Sequence, residues 1–275
     1  MTRRFILCLG ASKSGTTWFY SFLKTQASVY PGLRKEFGIL DKIFELPSVV
    51  TTPPSIRIDS ELSRKLALRQ AQLEKMSLSL ENYVDYFDDL IGAGGFSMDV
   101  SPRYLQISTG DLEQVVSAFN ARNIETIIVV LLRDPVERLI SFGKMVQRDR
   151  FIRKKLLIQN YHSLIEIVTR LLQSREFAHD YVSAVRNVGA VQGGAQKLII
   201  PFENAVTPDG YACLAASLKL EAINGFEKKI IHAARADESW NDIDVDALRR
   251  LLSDQYEGCL EYFEKTGIAP QWRFL

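Results

Sequence analysis

Net charge is almost absent from this chain: 34 lysines and arginines face 33 aspartates and glutamates, a formal net charge of +1 over 275 residues. A nucleic-acid binder announces itself by a strongly basic domain or stripe, so no nucleic-acid partner is expected. Cysteine is scarce. Cys8, Cys213 and Cys259 are odd in number and have no metal-binding spacing, so they make neither a zinc site nor a full disulfide set, and a reducing compartment fits. The three histidines, His162, His179 and His232, stand apart without an H-E-x-x-H pair, and no catalytic metal is expected. No apolar run approaches the ~20 residues of a membrane span. A short apolar run after Arg3-Arg4 mimics a signal peptide, but it is too short and passes straight into a glycine-bounded loop. Cytoplasmic placement without a transmembrane segment is the expectation. Repeats and low-complexity tracts are also lacking.

What is present suits a soluble enzyme. Hydrophobic residues make up 47% of the chain, enough to bury a large core, and residues 1–275 read as one α/β domain that need not be divided.

The first informative segment is Gly10-Ala11-Ser12-Lys13-Ser14-Gly15-Thr16-Thr17-Trp18, which follows the apolar run Phe5-Ile6-Leu7-Cys8-Leu9. A strand feeding a glycine-bounded loop and then a helix gathers unpaired N–H groups and the positive end of the helix dipole at one point, which holds an anion. In the nucleotide-hydrolysing loop G-x-x-x-x-G-K-[ST], the lysine follows the second glycine and the next hydroxyl holds Mg²⁺. Here Gly10, Gly15 and Thr17 keep that spacing, but Thr16 stands in the lysine position and Lys13 lies inside the loop. From there it reaches the bridging side of an anion's terminal group, which suits neutralising a leaving group. Trp18 is one helical turn from Phe22, a spacing that serves core packing as well as a place near a ligand.

The second segment runs from Ile127 through Leu132 to Arg133-Asp134-Pro135-Val136-Glu137-Arg138-Leu139-Ile140-Ser141. Six apolar residues suggest a strand buried on both faces of a parallel sheet. Asp134 as cap, Pro135 at the first helical position and Glu137 three residues after the cap signal a helix start. Arg133 then stands at the carboxyl end of a central strand, facing the crevice where ligands bind in open α/β sheets. With Ser141 two turns into the helix, the pair makes a grip for a phosphate monoester. The same arginine can instead be held in an ion pair with a nearby acid.

Lys13-Ser14-Gly15-Thr16-Thr17-Trp18 resembles the 5′-phosphosulfate loop of sulfotransferases that use 3′-phosphoadenosine 5′-phosphosulfate (PAPS), and Arg133 with Ser141 resembles that family's site for the 3′-phosphate. The resemblance implies a P-loop fold with a central parallel sheet flanked by helices. It implies that Ser12, Lys13, Ser14, Gly15, Thr16, Thr17 and Trp18 hold the donor at one end and Arg133 and Ser141 at the other, with PAPS released as adenosine 3′,5′-bisphosphate and no metal involved. Lys35-Glu36-Phe37 looks like the Lys-Glu pair of the carbohydrate-directed, bacterial-type branch. That likeness makes Glu36 the base for the acceptor hydroxyl and Lys35 an acceptor-side contact; a charged surface turn is the plain alternative. Ser101-Pro102-Arg103-Tyr104 resembles the branch's S-P-x-Y segment, which makes Arg103 an acceptor contact or, equally, an exposed turn arginine. Where family members carry a basic Lys-Gly loop, this chain reads His232-Ala233-Ala234-Arg235, leaving Arg235 as the candidate for closing over the nucleotide.

The function implied is transfer of a sulfuryl group from PAPS to a hydroxyl or amine of a carbohydrate or glycolipid acceptor, with peripheral membrane contact if the acceptor is a glycolipid. A P-loop kinase using Mg-ATP, with Asp134 as the Mg²⁺ ligand, is the alternative, as is a non-catalytic nucleotide-binding homologue. Helices are expected over residues 60–76, 80–91, 111–122, 161–172, 177–188 and 244–263, with the first helix ending near Ala27 and a strand over 197–203. Residues 30–95 are expected to include an acceptor-side lid. The run Arg148, Arg150, Arg153, Lys154, Lys155 is either a solvated helix face or a lure for acidic saccharide.

Overall fold

The structure is a computed structural model that describes residues 2–46, 60–149, 160, 161, 163–173, 180–228 and 244–275. Arg235, the three histidines and Arg150, Arg153, Lys154 and Lys155 lie outside the described residues.

A five-stranded sheet forms the centre, with β1 (Arg3–Gly10), β2 (Val29–Tyr30), β3 (Gly95–Val100), β4 (Glu125–Leu132) and β5 (Gln196–Pro201) in the spatial order β2-β3-β1-β4-β5. Every strand pairing in it is parallel. Alternation explains the unbroken apolar runs of β1 and β4. Phe5, Leu7 and Leu9 point to one core together with Ile128, Val130 and Leu132, while Ile6 and Cys8 point to a second core with Ile127, Val129 and Leu131. Helices cover both faces, so no strand face in the centre is left for water.

The first core is covered by α4 (Leu80–Ile91), α5 (Thr109–Asn120) and α6 (Pro135–Arg148), and by the helices Leu164–Gln173, Tyr181–Ala190 and Ser253–Thr266. The second core is covered by α1 (Thr16–Leu23) and the helix Pro208–Ser217. Helix α3 (Ser60–Met76) joins the short α2 (Leu40–Ile43) side of the molecule to α4. Tyr83, Val84, Phe87 and Ile91 of α4 are buried, and Tyr83 and Phe87 pack on Phe5, which stacks on Phe119 at 4.1 Å between ring centroids. This stretch of the expected lid is therefore part of the core.

Several boundaries differ from the sequence expectation: the helices expected over 111–122, 161–172 and 177–188 run over Thr109–Asn120, Leu164–Gln173 and Tyr181–Ala190, and three further differences bear on the fold. Helix α1 stops at Leu23 rather than near Ala27, because the Thr25 hydroxyl donates to the Phe22 carbonyl at 2.5 Å and Gln26 turns away. The Gln26 amide clamps the backbone of Glu221, donating to its carbonyl and accepting from its N–H, both at 3.0 Å. The closing helix is broken in two, Val245–Leu251 and Ser253–Thr266. Strand β5 ends at Pro201, and Glu203 falls in the short helix Phe202–Ala205.

The chain leaves β1 toward β2 and β3 and later lays β4 on the opposite side of β1. The carboxyl ends of β1 and β4 thus flank a crevice at a reversal of strand order, the place where open α/β sheets bind ligands.

Candidate anion-binding site

Residues 11–15 follow β1 at the crevice end of the sheet. The Ala11 N–H donates to the Leu131 carbonyl at 2.8 Å, fastening the loop to the end of β4. Gly15 is the N-cap of α1 with φ +80°, a left-handed conformation that favours glycine, and a Cβ there would lie 2.0 Å from the Phe202 ring. Lys13 takes φ +65° without being glycine, the kind of local strain that gathers at functional sites. Helix α1 begins at Thr16, so its first N–H groups have no partner within the helix and open toward the crevice end of the sheet.

Two loop carbonyls that would repel an anion are engaged by arginines. The Ser12 carbonyl accepts from Arg138 Nε at 3.0 Å, and the Lys13 carbonyl accepts from Arg133 Nη1 at 3.5 Å. Arg138 is buried in α6, and its guanidinium lies 4.9 Å from the centre of the Tyr181 ring. Ser141 is three residues further along the same helix, hence on the face that Arg138 turns to the loop, and is half-buried.

Lys35, expected on the acceptor side, is drawn onto the loop. Its ammonium donates to Thr17 Oγ1 at 3.0 Å, to Thr16 Oγ1 at 3.2 Å and to Glu36 Oε1 at 2.9 Å. Glu36, with about half its side chain exposed (51%), is thereby tethered at the loop's rim. Lys13 carries the electrostatic signature of the site. Burial lowers its pKa, and Arg133, Arg148 and Lys35 lower it further. Three cations close enough to disfavour the charge on Lys13 make that position one where an anion would be welcome.

The strap that carries Lys35 and Glu36 hangs on a buried carboxylate that sequence reading passed over. Asp99, at the end of β3 and fully buried, accepts from the Phe37 N–H at 3.3 Å, Tyr104 Oη at 2.9 Å, Tyr83 Oη at 3.0 Å and the Ser101 hydroxyl. Tyr104 Oη in turn accepts from the N–H groups of Ile39 (2.8 Å) and Leu40 (3.2 Å), and Ser101 Oγ from that of Gly38 (3.3 Å). The Val100 N–H completes the attachment by donating to the Lys35 carbonyl at 3.1 Å. Burial pushes Asp99 up to about 6 against the pull of its hydrogen bonds. A lone aspartate among Met98 and Val100 was the available signal.

Tyr181 is the second residue that sequence reading missed. Its hydroxyl accepts from the Arg133 N–H at 3.2 Å and is 3.1 Å from Ser14 Oγ, joining the loop, the end of β4 and the helix Tyr181–Ala190. A tyrosine at a helix start has no spacing that marks it for this.

Other expected site residues have different places. Ser14 is fully buried with its hydroxyl on Tyr181, and Trp18 is buried among Phe22, Phe202, Tyr211 and Phe226, with centroids 5.8–6.4 Å away. Arg103 pairs with the buried Asp41. Arg133 is in an ion pair: Nη2 and Nε donate to Glu137 Oε2 at 2.8 and 3.2 Å, and Nε lies 3.9 Å from Glu203 Oε1. Its side chain is nevertheless 28% exposed and beside the loop.

Asp134 is fully buried and both its oxygens are taken. Oδ1 accepts from the Glu137 N–H at 3.1 Å and Tyr256 Oη at 2.8 Å, and Oδ2 from the Phe274 N–H at 2.9 Å. All three cysteines are free, and burial pushes Cys8 and Cys259 up to about 12. Among the described residues no cluster of histidine, cysteine and carboxylate side chains is arranged to hold a metal ion, and no helix is long and apolar enough to cross a membrane.

The fold and site define a parallel α/β protein with a cationic, glycine-bounded loop at the carboxyl end of its central strand. No protein-family model matches the chain, and no curated protein matches it.

Proposed function

We propose that this chain is a PAPS-dependent sulfotransferase of P-loop type, moving a sulfuryl group to a hydroxyl or amine of a carbohydrate or glycolipid acceptor without a metal ion. The observation that carries the reading is the Lys35 ammonium on the Thr16 and Thr17 hydroxyls. In an Mg²⁺-nucleotide loop the hydroxyl at the Thr17 position ligates the metal; here it accepts from a fixed cation, with Lys13 supplying a second one inside the loop. The residues fit a donor with two anionic ends: Lys13, Lys35 and the start of α1 at one, Arg133 and Ser141 beside them for the other.

PAPS supplies an activated sulfuryl group whose leaving group is a phosphate. Lys13, whose ammonium is disfavoured by burial and then by neighbouring cations in the free protein, gains most when negative charge develops beside it, which is stabilisation specific to the transition state. Glu36 accepts the acceptor's proton from the rim of the loop, and Lys35 orients that carboxylate through its 2.9 Å contact. A glycolipid acceptor would bring the protein to a membrane surface. Three free cysteines favour a reducing compartment such as the cytoplasm.

An Mg-ATP kinase is the competing reading, and the saturation of Asp134 by three protein donors counts against it. The test is calorimetry of adenosine 3′,5′-bisphosphate without metal against ATP with Mg²⁺, followed by ³⁵S transfer from labelled PAPS to a panel of saccharide, phenol and lipid acceptors. Metal-free bisphosphate binding and labelled product support the proposal. Mg²⁺-dependent ATP binding alone overturns it, and bisphosphate binding with no transfer to any acceptor identifies a non-catalytic homologue.

A further inference from the structure

Glu203 stands on the short helix Phe202–Ala205, directly after β5, and faces the ion pair of Arg133. Its Oε1 accepts from the Asp134 N–H at 3.2 Å. Its Oε2 is buried and has no hydrogen-bond partner. The charged groups around it come from four elements. Arg133 comes from the end of β4. Glu137 of α6 holds Arg133 at 2.8 Å and has Arg273 of the C-terminal tail 3.9 Å from its other oxygen. Asp134 offers only its N–H, its carboxylate being consumed elsewhere, and Lys13 of the loop offers its carbonyl to Arg133.

A buried carboxylate oxygen with no donor is costly. Arg133 cannot relieve it fully, because its Nε and Nη2 already serve Glu137. A phosphate arriving at Arg133 would bring a third negative charge into a space that holds Glu137 and Glu203. Like charges at that range cannot all stay ionised. Glu203 is the group best placed to yield, since a proton on its carboxyl removes a negative charge 3.9 Å from Arg133 Nε and gives the orphan Oε2 a neutral state.

We propose that Glu203 takes up one proton from solvent when a phosphate group binds at Arg133. This rests on the donor-site reading above and adds to it a coupling between binding and pH. Only an O–H bond forms, and the proton returns to solvent on release. Burial already pushes Glu203 up to about 7, Arg133 opposing and Glu137 assisting, so the proton is accessible near neutrality.

The experiment is calorimetry of adenosine 3′,5′-bisphosphate and of inorganic phosphate with the wild type and Glu203→Gln from pH 6 to pH 9. Glutamine keeps the acceptor for Asp134 and mimics the protonated acid. The ratio of the two proteins' affinities cancels titration of the ligand and of Lys13. That ratio should move against the wild type by up to about tenfold per pH unit above ~7. In the wild type near pH 8, binding heats in buffers of different ionisation enthalpy should report uptake of close to one proton. A ratio that stays flat, or no proton uptake, overturns the coupling. Phosphate binding with the sloping ratio but no bisphosphate binding overturns the donor reading and keeps the coupling; bisphosphate binding with a flat ratio does the reverse. Binding of neither overturns both. Should Glu203→Gln not fold, proton uptake in Lys13→Ala, which removes the other side chain that would gain a proton on anion binding, decides instead.

Discussion

Lys35 Nζ lies 3.0 Å from Thr17 Oγ1, so a residue twelve positions beyond the end of α1 is a working part of the loop that begins that helix. The contact fixes a cation against the start of α1 and, through Glu36, fixes a carboxylate beside it.

Lys35→Met should therefore lower turnover by about 100-fold, the scale of a misplaced reacting group, while Lys35→Arg should recover part of it. Lys13→Ala should cost more, about 1000-fold or beyond, and leave nucleotide binding through Arg133 and Ser141 measurable. Steady-state rates of ³⁵S transfer and calorimetric affinities separate the two. Equal loss of binding and turnover in both variants contradicts the division of labour.

Gly15→Ala combines an unfavourable left-handed backbone with a collision against Phe202. The expected loss of stability is about 3 kcal/mol, from ~1–2 for the backbone and ~1–3 for overpacking. Phe202→Leu in the same chain should recover part of the second contribution and none of the first. Chemical denaturation of the two single variants and the double variant measures the coupling; strict additivity would show that the ring is not the obstacle.

Asp99→Ala strands two tyrosine hydroxyls, a serine and the Phe37 N–H, and is expected to destabilise by about 3 kcal/mol or more. Amide exchange over residues 35–40 should quicken well beyond the rest of the sheet end. Uniform quickening across the protein would mean that Asp99 supports the fold generally and not this strap.

The pH dependence of stability carries a sign. Asp99 titrates at about 6 in the folded protein against 3.8 as its ordinary value, because burial disfavours its charge. Between those values the folded state binds more protons than the unfolded state, so this contribution is full below 3.8 and is lost as pH rises through 6. Relative to Asp99→Asn, the wild type should lose about 3 kcal/mol between roughly pH 4 and pH 7. Urea midpoints of both proteins across that range test it, and a constant difference removes the claim.

Trp18→Phe separates packing from ligand contact. The indole is buried among four aromatic rings and its Nε1 has no hydrogen-bond partner, so the change should cost ~1 kcal/mol of stability and alter bisphosphate affinity by less than about twofold. A tenfold loss of affinity at unchanged stability would return Trp18 to the donor site.

Much of the local chemistry was legible in the chain. The apolar runs of β1 and β4, the Asp134-Pro135-Glu137 helix start and the glycines bounding Lys13 are all patterns within a few residues, and the parallel sheet follows from them. The limits of α3 and α4 were equally readable, because capping and helical periodicity act over one or two turns.

Contacts between distant segments were not legible. Asp99 reads as one carboxylate in a strand until Tyr83, Tyr104 and the Phe37 N–H arrive around it from three other elements. For Lys35 the sequence leaves open an acceptor-side contact or a surface turn until the strap brings it to Thr16 and Thr17, and for Arg133 a phosphate grip or an ion pair until α6 turns Glu137 onto it. By itself the sequence determined the strand order's raw material, the loop and its displaced lysine, since these depend on residue type and spacing along the backbone. Which charges face one another across the crevice was decided only by tertiary structure, because Coulomb and hydrogen-bond partners are chosen by distance in space, and the sheet sets that distance.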